Sequence, residues 1–338
     1  MIALVKSGRN VELREMPPPA VRAPADVLVA VKSAGVCTSD LAIVSGAFGD
    51  PPLRILGHEI AGQVAAVGSA VRRCKAGDRV ALQPTIYCGA CPCCQRGDWH
   101  LCPRRKFVGL DVDGGFAEQM VVPEANLVPV PASVPYRQAC LVEPLACVVH
   151  AIDCFGVLPE RGIVITGAGV SAFLFVQVLI ALGMPRKRIL VSGRRARRLA
   201  IVRDLGVPVV DVRSEALAER AAAIFGEAGP DMLGDQTGDP ALLRAAMDLI
   251  ARKGTLFIYD FMGREIPFHF GVMQLREITI KTSTGCPETL PRALDLMAGQ
   301  VDVAPAITHV FRPSQMKEAF ESLTARDDSH VKSVIEFG

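Results

Sequence analysis

Four cysteines in the first third of the chain have the spacing of a metal site. Cys88, Cys91, Cys94 and Cys102 follow the pattern C-x2-C-x2-C-x7-C. A tetrahedral Zn²⁺ ion takes four N or S ligands at about 2.0–2.3 Å, and with four protein ligands it has no open position. These cysteines therefore predict a structural zinc. The alternative, two disulfides, is disfavoured because the eleven cysteines, without an export signal, indicate a reducing compartment.

A second set of donors is spread more widely. Cys37 and His58 supply a thiolate and an imidazole about twenty residues apart, and Glu143 supplies a carboxylate much later. One S, one N and one O ligand with an open position would make a catalytic zinc that binds and acidifies an alcohol. Spacing alone does not join the three residues, and each by itself is more typical of a core or capping position.

A glycine-rich turn lies between an apolar strand and an apolar helix. After Ile163–Thr166, Gly167 would make the tight turn, Gly169 would let the backbone approach a pyrophosphate, and the small Ala172 would let the helix pack closely. The anion would then lie at the helix N-terminus. This turn predicts a dinucleotide site, and its candidate binding residues are Gly167, Gly169, Val170 and Ser171.

The end of the next predicted strand bears on the choice of dinucleotide. NAD-selective folds carry an Asp or Glu there, which binds the ribose 2′-hydroxyl. This chain has Gly193, Arg194 and Arg195 instead. Glycine leaves room for a 2′-phosphate and arginine can bind it bidentately. We therefore predict NADP in preference to NAD, and interpret Arg197 and Arg198 as solvating the following helix.

Composition narrows the class of protein. The chain has 338 residues, of which 50% are hydrophobic and 21% charged, and a net charge of +2. This is typical of a soluble protein with a large core. The small net charge and the absence of interleaved aromatic residues argue against a nucleic-acid partner. No apolar run is long enough to span a bilayer, so we expect no membrane partner and a cytoplasmic location.

The pattern of predicted secondary structure changes near residue 158. Before it, short β-branched runs bounded by turn residues predict a barrel-like β unit, with examples at 27–31, 61–67, 79–82 and 119–122. After it, strands alternate with helices, at 162–166, 170–182, 189–192, 195–205, 207–212, 214–225 and 256–259. Such alternation predicts a doubly wound parallel sheet, and hence an α/β fold class.

Several motifs in order resemble one known family, the zinc-dependent medium-chain dehydrogenase/reductases, and in particular the polyol branch around sorbitol and threonine dehydrogenases. The resemblance covers nearly the whole chain. The motifs are Gly35–Asp40, Gly57–Glu59, Gly77–Val80, the four-cysteine loop, Gly114–Glu118, Glu143–Leu145 and the glycine turn. A glutamate at position 143, where ordinary alcohol dehydrogenases have cysteine, is what points to the polyol branch.

The resemblance implies a fold and a set of roles. It implies a GroES-like catalytic domain at 1–147, completed by 288–338, and a Rossmann domain at 148–287. It implies a catalytic zinc held by Cys37, His58 and Glu59, with Glu143 as fourth ligand or holding the zinc water. Ser39 would pass the proton outward. The expected reaction is hydride transfer between a secondary alcohol and a nicotinamide cofactor, with two zinc ions per chain.

Other functions remain open at this point. The chain could be a zinc-independent reductase that binds only the structural zinc. It could be a catalytically silent relative, because Ala42 stands where polyol enzymes usually carry a relay histidine. A nucleic-acid-binding zinc protein is the alternative outside the enzymes. The alcohol or ketone substrate is not fixed, with polyols, sugars, cyclitols and amino alcohols as candidates, and the family is usually dimeric or tetrameric.

Overall fold

A mixed β unit occupies the first part of the chain in the computed structural model, which describes residues 1–49, 53–260, 268–325 and 327–338. Its strands are β1 (Ile2–Ser7), β2 (Asn10–Glu15), β3 (Asp26–Val36), β4 (Leu53–Ile55), β5 (Glu59–Val67), β6 (Arg79–Leu82), β7 (Thr85–Ile86), β8 (Lys106–Phe107), β9 (Gln119–Pro123) and β10 (Leu127–Pro129). The short helices within and just after it are α1 (Thr38–Ser45), α2 (Pro92–Gln95) and α3 (Tyr136–Ala139).

A parallel sheet follows. Its strands are β11 (Ile163–Thr166), β12 (Ile189–Gly193), β13 (Val209–Asp211), β14 (Met232–Asp235), β15 (Thr255–Ile258) and β16 (Thr279–Thr282), in the order β13-β12-β11-β14-β15-β16. Each neighbouring pair is parallel. The strand order reverses between β11 and β14, and ligands of open α/β sheets bind in the crevice at such a switch point.

Helices cover this sheet and link it to the β unit. They are α4 (Val142–Phe155), α5 (Val170–Ala181), α6 (Ala196–Arg203), α7 (Leu217–Phe225), α8 (Pro240–Leu249), α9 (Phe270–Arg276), α10 (Leu290–Gly299) and α11 (Met316–Glu321). Among the described helices, none is long and apolar enough to cross a membrane.

The last strands return to the β unit. These are β17 (Ile307–Phe311) and β18 (Lys332–Glu336), and β18 pairs antiparallel with β3, with Val334 opposite Gly35. The larger sheet of the unit therefore runs β10-β6-β5-β3-β18-β17, with β9 also paired to β3. Residues about 300 positions apart in the sequence thus lie side by side next to Cys37.

Helix α4 holds the two units in one core. Ala61 and Ala81 of the β unit, Leu145 and Val149 of α4, and Phe257 of the parallel sheet belong to a single cluster of buried side chains. Fully burying a side chain such as Leu or Val contributes about 1.5–3 kcal/mol. The early residues of α4, which include Glu143, are thereby fixed relative to both sheets.

The predicted α/β fold class, with a GroES-like β-rich unit and a Rossmann sheet, is confirmed. The element bounds differ in places. The helix predicted over 214–225 begins only at Leu217, because Ser214 closes a turn: its backbone N–H and its hydroxyl both donate to the carbonyl oxygen of Asp211.

Candidate active site and metal centres

The four-cysteine loop brings its sulfur atoms together. The Sγ atoms of Cys88, Cys91, Cys94 and Cys102 all lie within 4.8 Å of one another. The ligand atoms of a tetrahedral zinc with bonds of 2.0–2.3 Å are about 3.3–3.8 Å apart, so small side-chain rotations would close the site. Cys93 points elsewhere and accepts a hydrogen bond from Arg96 at 3.8 Å.

The electrostatics of this loop also fit a cation. The backbone N–H of Ala90 is the main cause that lowers the pKa of Cys88 to about 5, and Arg104 donates to the same sulfur at 3.1 Å. Burial and the neighbouring sulfur of Cys91 raise the pKa of Cys94 to about 12. Four thiolates do not coexist here without a positive charge among them, and Zn²⁺ would supply that charge.

A second group of donors forms where β3 ends and β5 begins. Cys37 follows β3, and Glu59 opens β5 opposite Gly35 in the sheet register. The ligand atoms of Cys37, His58 and Glu59 lie within 4.8 Å of one another. A Cβ atom on Gly35 would come within 2.0 Å of Glu59 Oε2, so only glycine at that position leaves room for the carboxylate.

Asp40 orients the imidazole of this group, a role that the spacing of residues in the sequence does not reveal. Its Oδ1 lies 3.3 Å from His58 Nδ1, and its Oδ2 accepts a hydrogen bond from the backbone N–H of Cys37 at 3.0 Å. Burial lowers the pKa of His58, but Asp40 and Cys37 outweigh burial and hold that pKa well above its ordinary value. A carboxylate on Nδ1 fixes the ring so that Nε2 faces the other donors, as in many metal sites.

Ser39 lies between two of the donors. Its hydroxyl is 3.1 Å from Cys37 Sγ and 3.2 Å from His58 Nε2, and its side chain is half-buried. Ser39, the residue predicted to pass the proton outward, is therefore adjacent to the predicted metal ligands and partly exposed to solvent.

Lys332 is a further member that sequence reasoning missed. Its Nζ lies 2.6 Å from Glu59 Oε1, and only 3% of the lysine is exposed. Burial lowers the pKa of Lys332, but Glu59 outweighs burial and raises it. The only signal in the sequence is a lysine at the start of a strand, Lys332–Glu336, and this does not identify its partner. The carboxylate of Glu59 thus has an ammonium partner on one side and the Cys37–His58 pair on the other.

Glu143 joins a different group of donors. Its ligand atoms lie within 4.8 Å of those of Cys147 and Cys286, and Cys147 Sγ donates to Glu143 Oε1 at 3.3 Å. Burial raises the pKa of Glu143, while His58 opposes that shift and Glu59 adds to it, so this carboxylate still interacts with the first group. Cys140 is fully buried and its Sγ donates to the Arg137 carbonyl oxygen at 3.3 Å, whereas Cys147 belongs to the group of Glu143.

The glycine turn lines a cavity of about 330 Å³ at the switch point of the parallel sheet. Gly167 adopts φ +96°, which favours glycine, and Gly169 is the N-cap residue of α5. Val170 and Ser171 form the first turn of that helix. A larger groove of about 660 Å³ lies near Cys74 and Glu124, and its lining includes none of the predicted site residues.

Arginines line the other side of this cavity. Gly193, Arg194, Arg195 and also Arg198 belong to its lining. Arg198 does not merely solvate its helix: it donates to the His330 carbonyl oxygen at 3.0 Å, and burial, with Arg195, lowers its pKa to about 10. Gly193 has a packing role of its own, since a Cβ atom there would come within 2.8 Å of Ala168 Cβ.

Comparison with known proteins gives the family. Residues 23–132 match the model "Alcohol dehydrogenase GroES-like domain", and residues 172–299 match "Zinc-binding dehydrogenase". The chain is 30% identical to the sorbitol dehydrogenase of Bacillus subtilis over 327 residues, which are 94% of this chain and 92% of that protein. It is 29% identical to an L-threonine 3-dehydrogenase of Rhizobium etli over 340 residues, 98% of this chain and 97% of that one.

A solved structure agrees with these relatives. A zinc-binding dehydrogenase from Sinorhizobium meliloti 1021, bound to NADP, superposes with a TM-score of 0.92 and is 28% identical, over 99% of each chain. The protein is an oxidoreductase that belongs to the zinc-type medium-chain dehydrogenase family, in the branch of the polyol and threonine dehydrogenases.

Proposed function

We propose that the protein transfers a hydride between a secondary alcohol and NADP, at a zinc ion held by Cys37, His58 and Glu59. The observation that carries this proposal is the convergence of one thiol, one imidazole and one carboxylate within 4.8 Å. Three such ligands leave a position for substrate, which is the arrangement of catalytic zinc sites. The four-cysteine loop would hold a second, structural ion.

The ion, when bound there, would act as a Lewis acid that makes the alcohol hydroxyl easier to deprotonate. The chain's own residues do the rest. Asp40 orients His58, Gly35 leaves space for Glu59, and Ser39 accepts the released proton and passes it outward, since Ala42 offers no relay group. Glu143 lies close enough to influence His58 and Glu59 and would complete the site as a fourth ligand or by holding a water.

The dinucleotide would bind along the cavity at the switch point. Its pyrophosphate would lie at the N-terminus of α5, next to Gly167, Gly169, Val170 and Ser171. Arg194 and Arg195, which follow Gly193 in the cavity lining, would bind the 2′-phosphate, and Gly193 would let this strand end pack closely against Ala168. The nicotinamide, when bound, accepts or donates the hydride, and the crevice at the strand ends would hold it against the zinc site.

The remaining expectations are proposed on the same basis. The catalytic domain would comprise 1–147 and 288–338, and the Rossmann domain 148–287. The named relatives act on a polyol and on an amino alcohol, so we propose a small secondary alcohol of that kind as substrate, in a dimer or tetramer.

The test is a nicotinamide absorbance assay with zinc-loaded protein, NAD and NADP, and a panel of polyols, cyclitols and threonine. Turnover of at least one secondary alcohol, faster with NADP, is the expected result. Turnover that is faster with NAD would refute the cofactor assignment alone. Cofactor binding without turnover of any alcohol would refute the proposed reaction and favour a silent relative.

Replacing Arg194 with alanine should reduce kcat/KM for NADP by about 10–100-fold and leave the value for NAD nearly unchanged. A hydrogen bond between charged groups contributes about 1.5–3 kcal/mol, and each 1.4 kcal/mol is a factor of ten. The matched control is Arg197→Ala, because Arg197 is exposed and outside the cavity lining. Equal losses with both cofactors, or an equal loss in the control, would contradict a 2′-phosphate contact.

A further inference from the structure

A second set of soft donors lies beside the proposed catalytic zinc. Glu143, Cys147 and Cys286 have their ligand atoms within 4.8 Å of one another, and the family resemblance assigns no role to either cysteine. Glu143 and Cys286 are 7% and 1% exposed, and Cys147 is half-buried. A set of two thiols and a carboxylate binds Zn²⁺ and Cd²⁺ in preference to harder divalent cations.

The cluster is held in place from both sides. Glu143 and Cys147 are four residues apart on α4, so they lie on the same face of the helix. Cys286 lies in the segment between β16 and α10, and two hydrogen bonds attach that segment to its surroundings: Thr289 Oγ1 donates to the Ala146 carbonyl oxygen and Trp99 Nε1 to Glu288 Oε1, each at 2.9 Å. The three donors therefore need little rearrangement to meet one ion.

Glu143 has oxygen atoms for two neighbours. Its Oε1 faces Cys147 at 3.3 Å. A carboxylate has two oxygens and about four lone-pair sites, so it can accept from two partners at once. An ion at this cluster would thus adjoin the Cys37 group and need not replace it.

We propose that Glu143, Cys147 and Cys286 form a third metal position, selective for a thiophilic divalent cation such as Zn²⁺ or Cd²⁺. Binding releases the protons of the two thiols to solvent, since the thiolates are the ligands. The proposal goes beyond the two zinc ions of the proposed function.

The test measures the number of metal ions bound per chain. Zinc-loaded wild-type protein and the variants Cys147→Ser, Cys286→Ser and Cys154→Ser are dialysed against excess Cd²⁺, and total zinc plus cadmium per chain is measured by mass spectrometry. The sum is insensitive to exchange of cadmium for zinc elsewhere. Cys154 is the matched control, because it lies on the same helix but outside the cluster.

We expect wild type and Cys154→Ser to hold one ion more than Cys147→Ser and Cys286→Ser. Equal counts in all four proteins would overturn the third position. The difference in bound metal ions per chain between wild type and the two cluster variants tests this inference. The number of ions in the cluster variants themselves, expected to be two per chain, tests the two zinc ions of the proposed function.

Discussion

Replacing Lys332 with methionine should lower the free energy of unfolding by about 3–5 kcal/mol. Lys332 and Glu59 form an ion pair in which both side chains are almost fully buried, with relative exposures of 4% and 1%. Removing one partner of such a pair leaves the other charge buried and uncompensated, which is strongly destabilising. Urea denaturation of both proteins in the same zinc-free buffer measures the difference.

Two further variants establish the cause. The double variant Lys332→Met with Glu59→Gln should regain part of the loss, because it removes both charges. Lys317→Met removes an exposed lysine that pairs with Glu321, and surface changes of this kind are usually within about 0.5 kcal/mol. A loss below about 1 kcal/mol for Lys332→Met, or no recovery in the double variant, would contradict the buried-pair account.

Replacing Cys37 with serine should remove one zinc ion per chain and reduce turnover by about a thousandfold or more. A Lewis-acid metal contributes several kcal/mol to the transition state, and each 1.36 kcal/mol is a factor of ten in rate. Cofactor affinity should be largely retained, because the described cavity lining does not include Cys37. Metal analysis, steady-state rates and cofactor titration measure the three effects.

The matched control is Cys74→Ser, a partly buried cysteine of the same β unit that is outside all three donor groups. It should keep its zinc and its turnover. Full activity in metal-free Cys37→Ser protein would refute the zinc mechanism, whereas parallel losses of activity and cofactor binding would indicate general damage to the fold.

Local geometry defined by short stretches of sequence could be predicted. The four-cysteine loop needs only residues 88–102, and the glycine turn needs only a strand, a helix and the residues between them. The α/β alternation was likewise visible, because strand and helix periodicities are local properties. The predicted start of α7 was wrong because a turn closed by Ser214 competes there with the helix.

Contacts between distant elements were beyond the reach of that reasoning. Lys332 meets Glu59 only because β18 pairs with β3 in one particular register. Cys286 meets Cys147 only because its segment is attached to α4 at Thr289. Nothing in the spacing of these residues joins them, and a one-residue shift of a strand would move its side chains to the other face.

The orientation of Arg198 was also hidden in the sequence. Arginines at the start of a helix most often solvate it, and Arg197 does so. Arg198 turns towards the cavity because the His330 carbonyl oxygen accepts from its guanidinium group, and His330 comes from a segment more than 130 residues away.

The pairing of β18 with β3 sets an order of events during biosynthesis. All four cysteines of the loop are present once residue 102 has been made, so a zinc ion at that loop would be bound early. Lys332, the counter-ion of Glu59, is synthesised more than two hundred residues later, which at about 5–20 residues per second is a delay of roughly 10–50 s. Through that interval the nascent chain would present Cys37, His58 and Glu59 without Lys332, so an ion at the four-cysteine loop would be bound first and the Cys37 group would be completed last.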